Sequence, residues 1–297
     1  FMFIVKHKNF FLFLSLIFVL SSFYSIYNFG LKFGIDFTGG AIMEVDYKDA
    51  RPDITIIKEK VTALNLGEYV AQTTGDKGLI LKTRDLKEEE RVKLVGALSE
   101  GNQLDVKSFD SIGPVIGAEL AQKAWIAISL VLLMIALFIA FAFRGVSYPV
   151  SSFKYGLAAL IALSHDVIIP TGIMAYMGHA YGTEVDILFI TAILAILGFS
   201  VHDTIVVFDR VRENLKNRIS KDFNETVGAS LGQTFVRSIN TSATTIFTLL
   251  ALYFLGGEST KTFAFILSIG IFFGTYSSIF LASPLLLLMN KNNQAKK

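Results

Sequence analysis

Long apolar runs separated by short polar breaks dominate the chain. Six of them, residues 10–29, 125–143, 155–177, 185–208, 236–255 and 263–289, reach about twenty residues or more, enough for a helix to cross a hydrocarbon layer of roughly 30 Å. Lipid offers no partner to an unpaired backbone amide or carbonyl, so every run is expected to be a helix. Between the first and second runs the pattern changes. "GAIMEVDYK" reads as a strand, and "PDITIIKEKVTALNL" sets Ile54, Ile57, Val61 and Leu64 at helical spacing. "EYVAQTT" and "GLILKTR" flank the turn Gly75-Asp76-Lys77 as a hairpin. "LKEEERVKLVGALSEG" puts Leu86, Val92, Val95 and Leu98 on one face, and "LDVKSFDSI" closes the set as a strand. The order βαββαβ predicts a small α+β ferredoxin-like domain inserted in a six-helix membrane bundle.

The first apolar run is too long for a secretory signal and has no small-residue cleavage pattern before Asn28-Phe29-Gly30, so it is expected to stay in the membrane. The chain opens Phe1-Met2, and native residues are expected before it.

Charge sets the expected orientation. Lys6 and Lys8 precede the first run, Arg144 and Lys154 lie between the second and third, and Arg210, Arg212, Lys216, Arg218 and Lys221 follow the fourth. Lys291, Lys296 and Lys297 follow the sixth, whereas the connections 178–184 and 256–262 carry only Lys261. The positive-inside rule then places both termini in the cytoplasm of a bacterial inner-membrane protein and residues 30–123 outside it. The expected organisation is 1–29 as N-terminus and first span, 30–123 as the outer domain, and 124–290 as spans two to six. A basic cytoplasmic loop is expected at 209–235 and a tail at 291–297.

The absence of cysteine excludes disulfides, cysteine-ligated zinc and thiol catalysis. A net charge of +2 gives no reason to expect nucleic acid as a partner, and no motif calls for a cofactor or metal.

Against this apolar background the polar residues inside the spans stand out. Asp166 lies near the middle of the third run, and Asp203 about 10 Å of helix rise from Arg210 in the fourth. A carboxylate at such depth costs about 3 kcal/mol and by default marks a functional site facing the bundle interior. Desolvation disfavours its charged form, which suits a group that holds and releases a proton. At about 100° per residue His202 points away from Asp203, so His202, like His165, reads as a polar packing residue. For Asp166 a second reading stays open: Pro170 removes the N–H that would bond its carbonyl, and a helix break recruits polar groups for structural reasons.

The fifth run supplies a candidate partner. Arg237, Asn240, Thr241, Thr244 and Thr248 fall on one polar stripe expected to run inward from the cytoplasmic end. A guanidinium there would favour ionised Asp203, and a protonated Asp203 would release it. Gly270, Gly274 and Ser278 repeat every four residues in the sixth run, a signal for close helix packing.

"FGIDFTGG" after the first run, "GPVIGAEL" before the second, "GFSVHDTIVVFDRVREN" closing the fourth and "FVRSINTSATT" opening the fifth together resemble the SecF family, the smaller membrane subunits of bacterial SecD–SecF protein-export complexes. The resemblance covers essentially the whole chain. It implies the resistance-nodulation-division superfamily, a SecD-like partner completing a twelve-helix unit, association with the SecYEG translocon, and use of the proton-motive force to draw a preprotein outward. It also implies that Asp203 and Arg237 belong to the proton pathway and that Asp166 matches the aspartate typical of the third span; Asn240 and Thr241 are expected in the relay from their place on the polar stripe, and the chain is not expected to be an enzyme. Two other readings compete. An intramembrane aspartyl protease needs paired aspartates, but "GFSVHD" lacks the GxGD motif of such enzymes; half of a proton-driven efflux pump would need a larger outer vestibule.

Overall fold

The computed structural model of the chain describes residues 1–99, 101–143 and 150–294; Arg144, Lys296 and Lys297 of the basic clusters lie outside them. Among the described residues six helices are long and apolar enough to cross a membrane. After a short helix α1 (Met2–Lys6), the first is α2 (Lys8–Phe29). A four-residue turn of helix, α3 (Ile35–Thr38), leads into β1 (Gly40–Tyr47), α4 (Ile54–Ala63), β2 (Val70–Thr74), β3 (Gly78–Thr83), α5 (Glu88–Ser99) and β4 (Leu104–Ile112). The remaining spans are α6 (Pro114–Ala142), α7 (Ser152–Tyr181), α8 (Ile187–Lys216) and α9 (Phe223–Leu255), then α10 (Glu258–Ser277) continued by a π-helical turn (Ser278–Ala282) and α11 (Ser283–Gln294). The chain divides into two compact units, Phe33–Trp125 and the membrane helices with their flanks.

In the unit Phe33–Trp125 the sheet is antiparallel with order β2-β3-β1-β4, the ferredoxin-like arrangement. The hairpin forms at Gly75-Asp76-Lys77, with Thr74 opposite Gly78. Alternation along β1 buries Ala41, Met43, Val45 and Tyr47 against Ile57 and Val61 of α4 and Leu94 and Leu98 of α5. On α5 the inward face differs from the expected one. Val92 is 59 % exposed and Leu94 fully buried, because Leu94 sits one turn before Leu98 and the two make the apolar pair.

Among the membrane helices, small residues set the spacing. A Cβ on Gly172 of α7 would lie 2.6 Å from the Cα of Ser22 on α2, and the Ser25 hydroxyl donates to the Gly172 carbonyl at 2.7 Å. Gly274 likewise faces Ser200 of α8, where a Cβ would meet the Ser200 Cβ at 3.1 Å, so the four-residue repeat in the sixth span does serve close approach. α7 continues through Pro170.

The expected loop 209–235 is mostly helical. α8 runs on to Lys216 and α9 begins at Phe223, capped by Asp222, whose carboxylate accepts from the Asn224 amide at 3.0 Å. Phe223, Val227 and Leu231 bury against the core that contains Val207 and Val211, which extends both helices into the expected loop. Asn214 ties the extensions together, donating to Ser230 at 2.8 Å and to Gln233 at 2.9 Å.

Two serine-held carboxylates as the candidate functional site

The inward stripe of α8 repeats at helical spacing through Ile193, Ile196, Leu197, Ser200, Asp203, Thr204, Val207 and Val211, all buried. This placement carries Asp203, 6 % exposed, into the bundle, while Asp166 on α7 is fully enclosed. His202 is exposed, as the helical wheel separates it from its neighbour.

Both carboxylates are held by hydroxyls. Asp203 accepts from Ser238 of α9 at 2.5 Å through Oδ1 and from Ser278 of the π-helical turn through Oδ2. Asp166 accepts from Ser200 of α8 and, at 2.6 Å, from Ser277 of α10, both through Oδ2. Its Oδ1 lies 2.8 Å from Nδ1 of His165, which is 2 % exposed. Ser277 and Ser278 are consecutive, so one step of the sixth span touches both acids.

These serines can read a proton. Ser278 Oγ has a second acceptor, the Thr275 carbonyl at 3.0 Å, and Ser277 Oγ has the Gly274 carbonyl at 3.0 Å. While an aspartate is ionised, the hydroxyl donates to it. Once the aspartate is protonated, the hydroxyl proton can swing to the carbonyl and the serine oxygen can accept the acid's O–H. Ser277 and Ser278 thus stay paired in both states, as buried hydroxyls require.

Arg237, Asn240 and Thr241 are exposed, and so are Thr244 and Thr248. The predicted stripe therefore lies on the outer face of α9, while Ser230, Thr234, Ser238 and Ser242 line its buried face. One residue of helix is about 100° of rotation: Arg237 and Ser238 point to different sides, and among the described residues no ion pair joins Arg237 to Asp203. Thr244 and Thr248 bond back to Asn240 and Thr244 carbonyls at 3.0 and 3.1 Å.

Sequence reasoning overlooked Ser200, Ser238, Ser277, Ser278 and the bond from His165. A signal existed: Ser230, Thr234, Ser238 and Ser242 recur every four residues beside the stripe that was chosen, and the small-residue repeat of the sixth span ends on Ser278. Two of the sequence motifs also meet in the other unit. A Cβ on Gly117 of "GPVIGAEL" would lie 2.9 Å from the Gly39 nitrogen of "FGIDFTGG", and one on Gly39, at φ 75°, 2.8 Å from the Pro114 Cα. Only glycine permits this approach.

Comparison with known proteins agrees with this architecture. The family described as "Protein export membrane protein SecD/SecF, C-terminal" matches residues 94–292, and the "SecD/SecF GG Motif" matches residues 24–50. "Protein translocase subunit SecF" of Thermobaculum terrenum is 44% identical over 296 residues, covering 95% of this chain and 92% of that one. The crystal structure of SecDF, a translocon-associated membrane protein from Thermus, superposes with a TM-score of 0.81 at 32% identity, over 97% of this chain and 38% of the longer SecDF chain. SecDF in a super-membrane-facing form gives 0.70 at 31% identity, over 98% of this chain and 39% of that one. A six-span bundle, an inserted ferredoxin-like unit and the two family matches lead to one assignment: the chain belongs to the SecF family of protein translocase subunits.

Proposed function

We propose that the chain pairs with a SecD-like subunit in the bacterial inner membrane and, beside the SecYEG translocon, uses the proton-motive force to promote late export of preproteins. The observation that carries this reading is the pair of buried carboxylates whose hydrogen-bond partners are hydroxyls able to reverse direction. Asp203 is the principal proton carrier: its ionised form is held by α9 and the sixth span together, and protonation reverses or releases those bonds. Asp166 is the second acid, coupled to the same step of the sixth span through Ser277. Moving one charge through 100 mV is worth about 2.3 kcal/mol, so a few protons suffice to drive a domain movement.

Arg237, Asn240 and Thr241 have a different place in this reading from the inward stripe that the sequence suggested. They lie on the outer face of α9, the face offered to the SecD-like partner, and Arg237 would pair with Asp203 only in another state of the assembled complex. The SecDF chain, of which this one matches 38%, supports a partner of that kind. The protease reading loses ground, because Asp166 and Asp203 each have their own hydroxyl donors and share no hydrogen bond among the described residues.

The test is export into inverted membrane vesicles containing the assembled complex, with and without a proton gradient. Asp203→Asn should remove the gradient-stimulated part of export and leave the gradient-independent part. Unchanged stimulation in that variant would remove Asp203 from the mechanism.

A further inference from the structure

The two oxygens of Asp166 have unlike surroundings. Oδ2 takes both serine hydroxyls, from Ser200 and Ser277, whereas Oδ1 faces Nδ1 of His165. The imidazole is held in place from the sixth span. It stacks on Tyr276 and meets Phe273 edge-on, with ring centroids 6.0 Å away in both cases. Tyr276 is itself tied to α2, its hydroxyl donating to the Phe11 carbonyl at 3.3 Å and accepting from Ser15 at 3.4 Å. Asp203 has its own serines, Ser238 and Ser278, and among the described residues no lysine or arginine pairs with Asp166.

The far ring nitrogen decides how the near one is used. Nε2 is buried and has no hydrogen-bond partner among the described residues. While Asp166 is ionised, the imidazole hydrogen belongs on Nδ1, where it donates to Oδ1. When a proton arrives, three places could take it. An imidazolium would bury a charged N–H at Nε2 with no acceptor, the most costly choice. A proton on Oδ1, aimed at Nδ1, would push the ring hydrogen to Nε2 and leave that N–H unpaired. A proton on Oδ2 leaves the ring as it was, and it donates to Ser277 Oγ, whose own hydrogen turns to the Gly274 carbonyl. The last arrangement keeps one hydrogen bond more than the second, because only there is the Gly274 carbonyl bonded.

We propose that His165 is the positioning residue of Asp166: it stays neutral with its hydrogen on Nδ1 and, by donating to Oδ1, directs the incoming proton to Oδ2. The proton then enters on the side of Ser277, where the sixth span can respond. This rests on the reading of Asp166 as a proton-carrying acid and adds which oxygen takes the proton and what selects it.

The test reads the ring directly. The chain has four histidines, and His7, His179 and His202 are exposed, so replacing those three by Gln leaves His165 alone. That chain, made with isotope-labelled histidine, is joined to an unlabelled SecD-like partner in nanodiscs. Nitrogen NMR is recorded as pH falls, and Asp166 protonation is followed by the infrared acid band that Asp166→Asn removes. The ring should carry hydrogen on Nδ1 and none on Nε2 both before and after the acid band grows. A hydrogen appearing on Nε2 as the band grows would overturn the proposal while leaving Asp166 a proton carrier. A band that never appears would remove Asp166 from the carriers and this inference with it, whatever Asp203 does. In gradient-driven export, His165→Asn, whose amide can donate from the Nδ1 position and does not titrate, should stay within about twofold of the parent. His165→Leu should fall about tenfold, as expected for one lost hydrogen bond. Equal export by the two variants would also sink the idea, and the NMR measurement does not depend on either of them folding.

Discussion

At the scale of single residues, the four serines around Asp166 and Asp203 keep two acids dry without a cation among the described residues. Removing one hydroxyl leaves a carboxylate oxygen short of a donor, which costs about 1–3 kcal/mol when the group is buried. Ser238→Ala and Ser278→Ala should each lower the melting temperature of the purified chain, and their effects should be less than additive, since both serve the same carboxylate. Asp203→Asn should lower it less, because the amide oxygen still accepts from one serine. The acids were legible in the sequence because a carboxylate inside an apolar run violates the pattern. Serine and threonine violate nothing there: they satisfy themselves on the preceding turn, as Ser230 does on the Thr226 carbonyl. Choosing between the Arg237 stripe and the Ser238 stripe required knowing which face of α9 meets its neighbours, and that depends on packing between helices, not on the helix itself.

At the scale of elements, close approach between α2 and α7 depends on Gly172. Gly172→Leu would drive a side chain into Ser22 and its backbone. The variant should fail to accumulate in membranes or be cleaved rapidly by added protease, whereas Gly198→Ala, where a Cβ meets nothing within 4 Å, should behave as the parent. In the α+β unit, Leu94 is fully buried. Leu94→Ala should cost about 2–5 kcal/mol, seen as roughly thirtyfold or greater acceleration of amide hydrogen exchange in β1 and β3. Near the start of α5 the Arg84 guanidinium donates to Glu90, whose carboxylate also accepts from the Lys87 amide at 3.0 Å. These bonds, the guanidinium foremost, hold the Glu90 carboxyl down at about 2. A depressed value stabilises the fold above the ordinary range near 4.5 and is lost as pH falls towards 2. A carboxyl-carbon titration by NMR should place the Glu90 midpoint near 2, and Arg84→Ala should return it towards 4.5. The strands and the hairpin turn were legible because period-two alternation and a glycine turn are local signals. The buried face of α5 was not, because Val92 and Leu94 are both apolar and only the sheet decides between them.

At the scale of the whole molecule, six apolar runs of spanning length fix the class of the protein before any site is considered. The proposed orientation is open to a direct test, since the chain has no cysteine of its own. Lys87 and Lys221 are both exposed. In intact cells a membrane-impermeant maleimide should label Lys87→Cys and leave Lys221→Cys unlabelled, and inverted vesicles should reverse the result. The reverse pattern in both preparations would place the sheet unit in the cytoplasm. The π-helical turn Ser278–Ala282 brings these scales together. It carries one residue more than an α-turn, and the Ser283 hydroxyl meets the Ser278 carbonyl five positions back at 3.0 Å. Such a surplus residue can migrate along a helix as a dislocation moves through a crystal. Each step rotates the stretch it passes by about 100° and advances it by about 1.5 Å. Because the turn begins at Ser278, one of the serines that grip the acids, any change in those hydrogen bonds falls where the sixth span already departs from α-helical geometry.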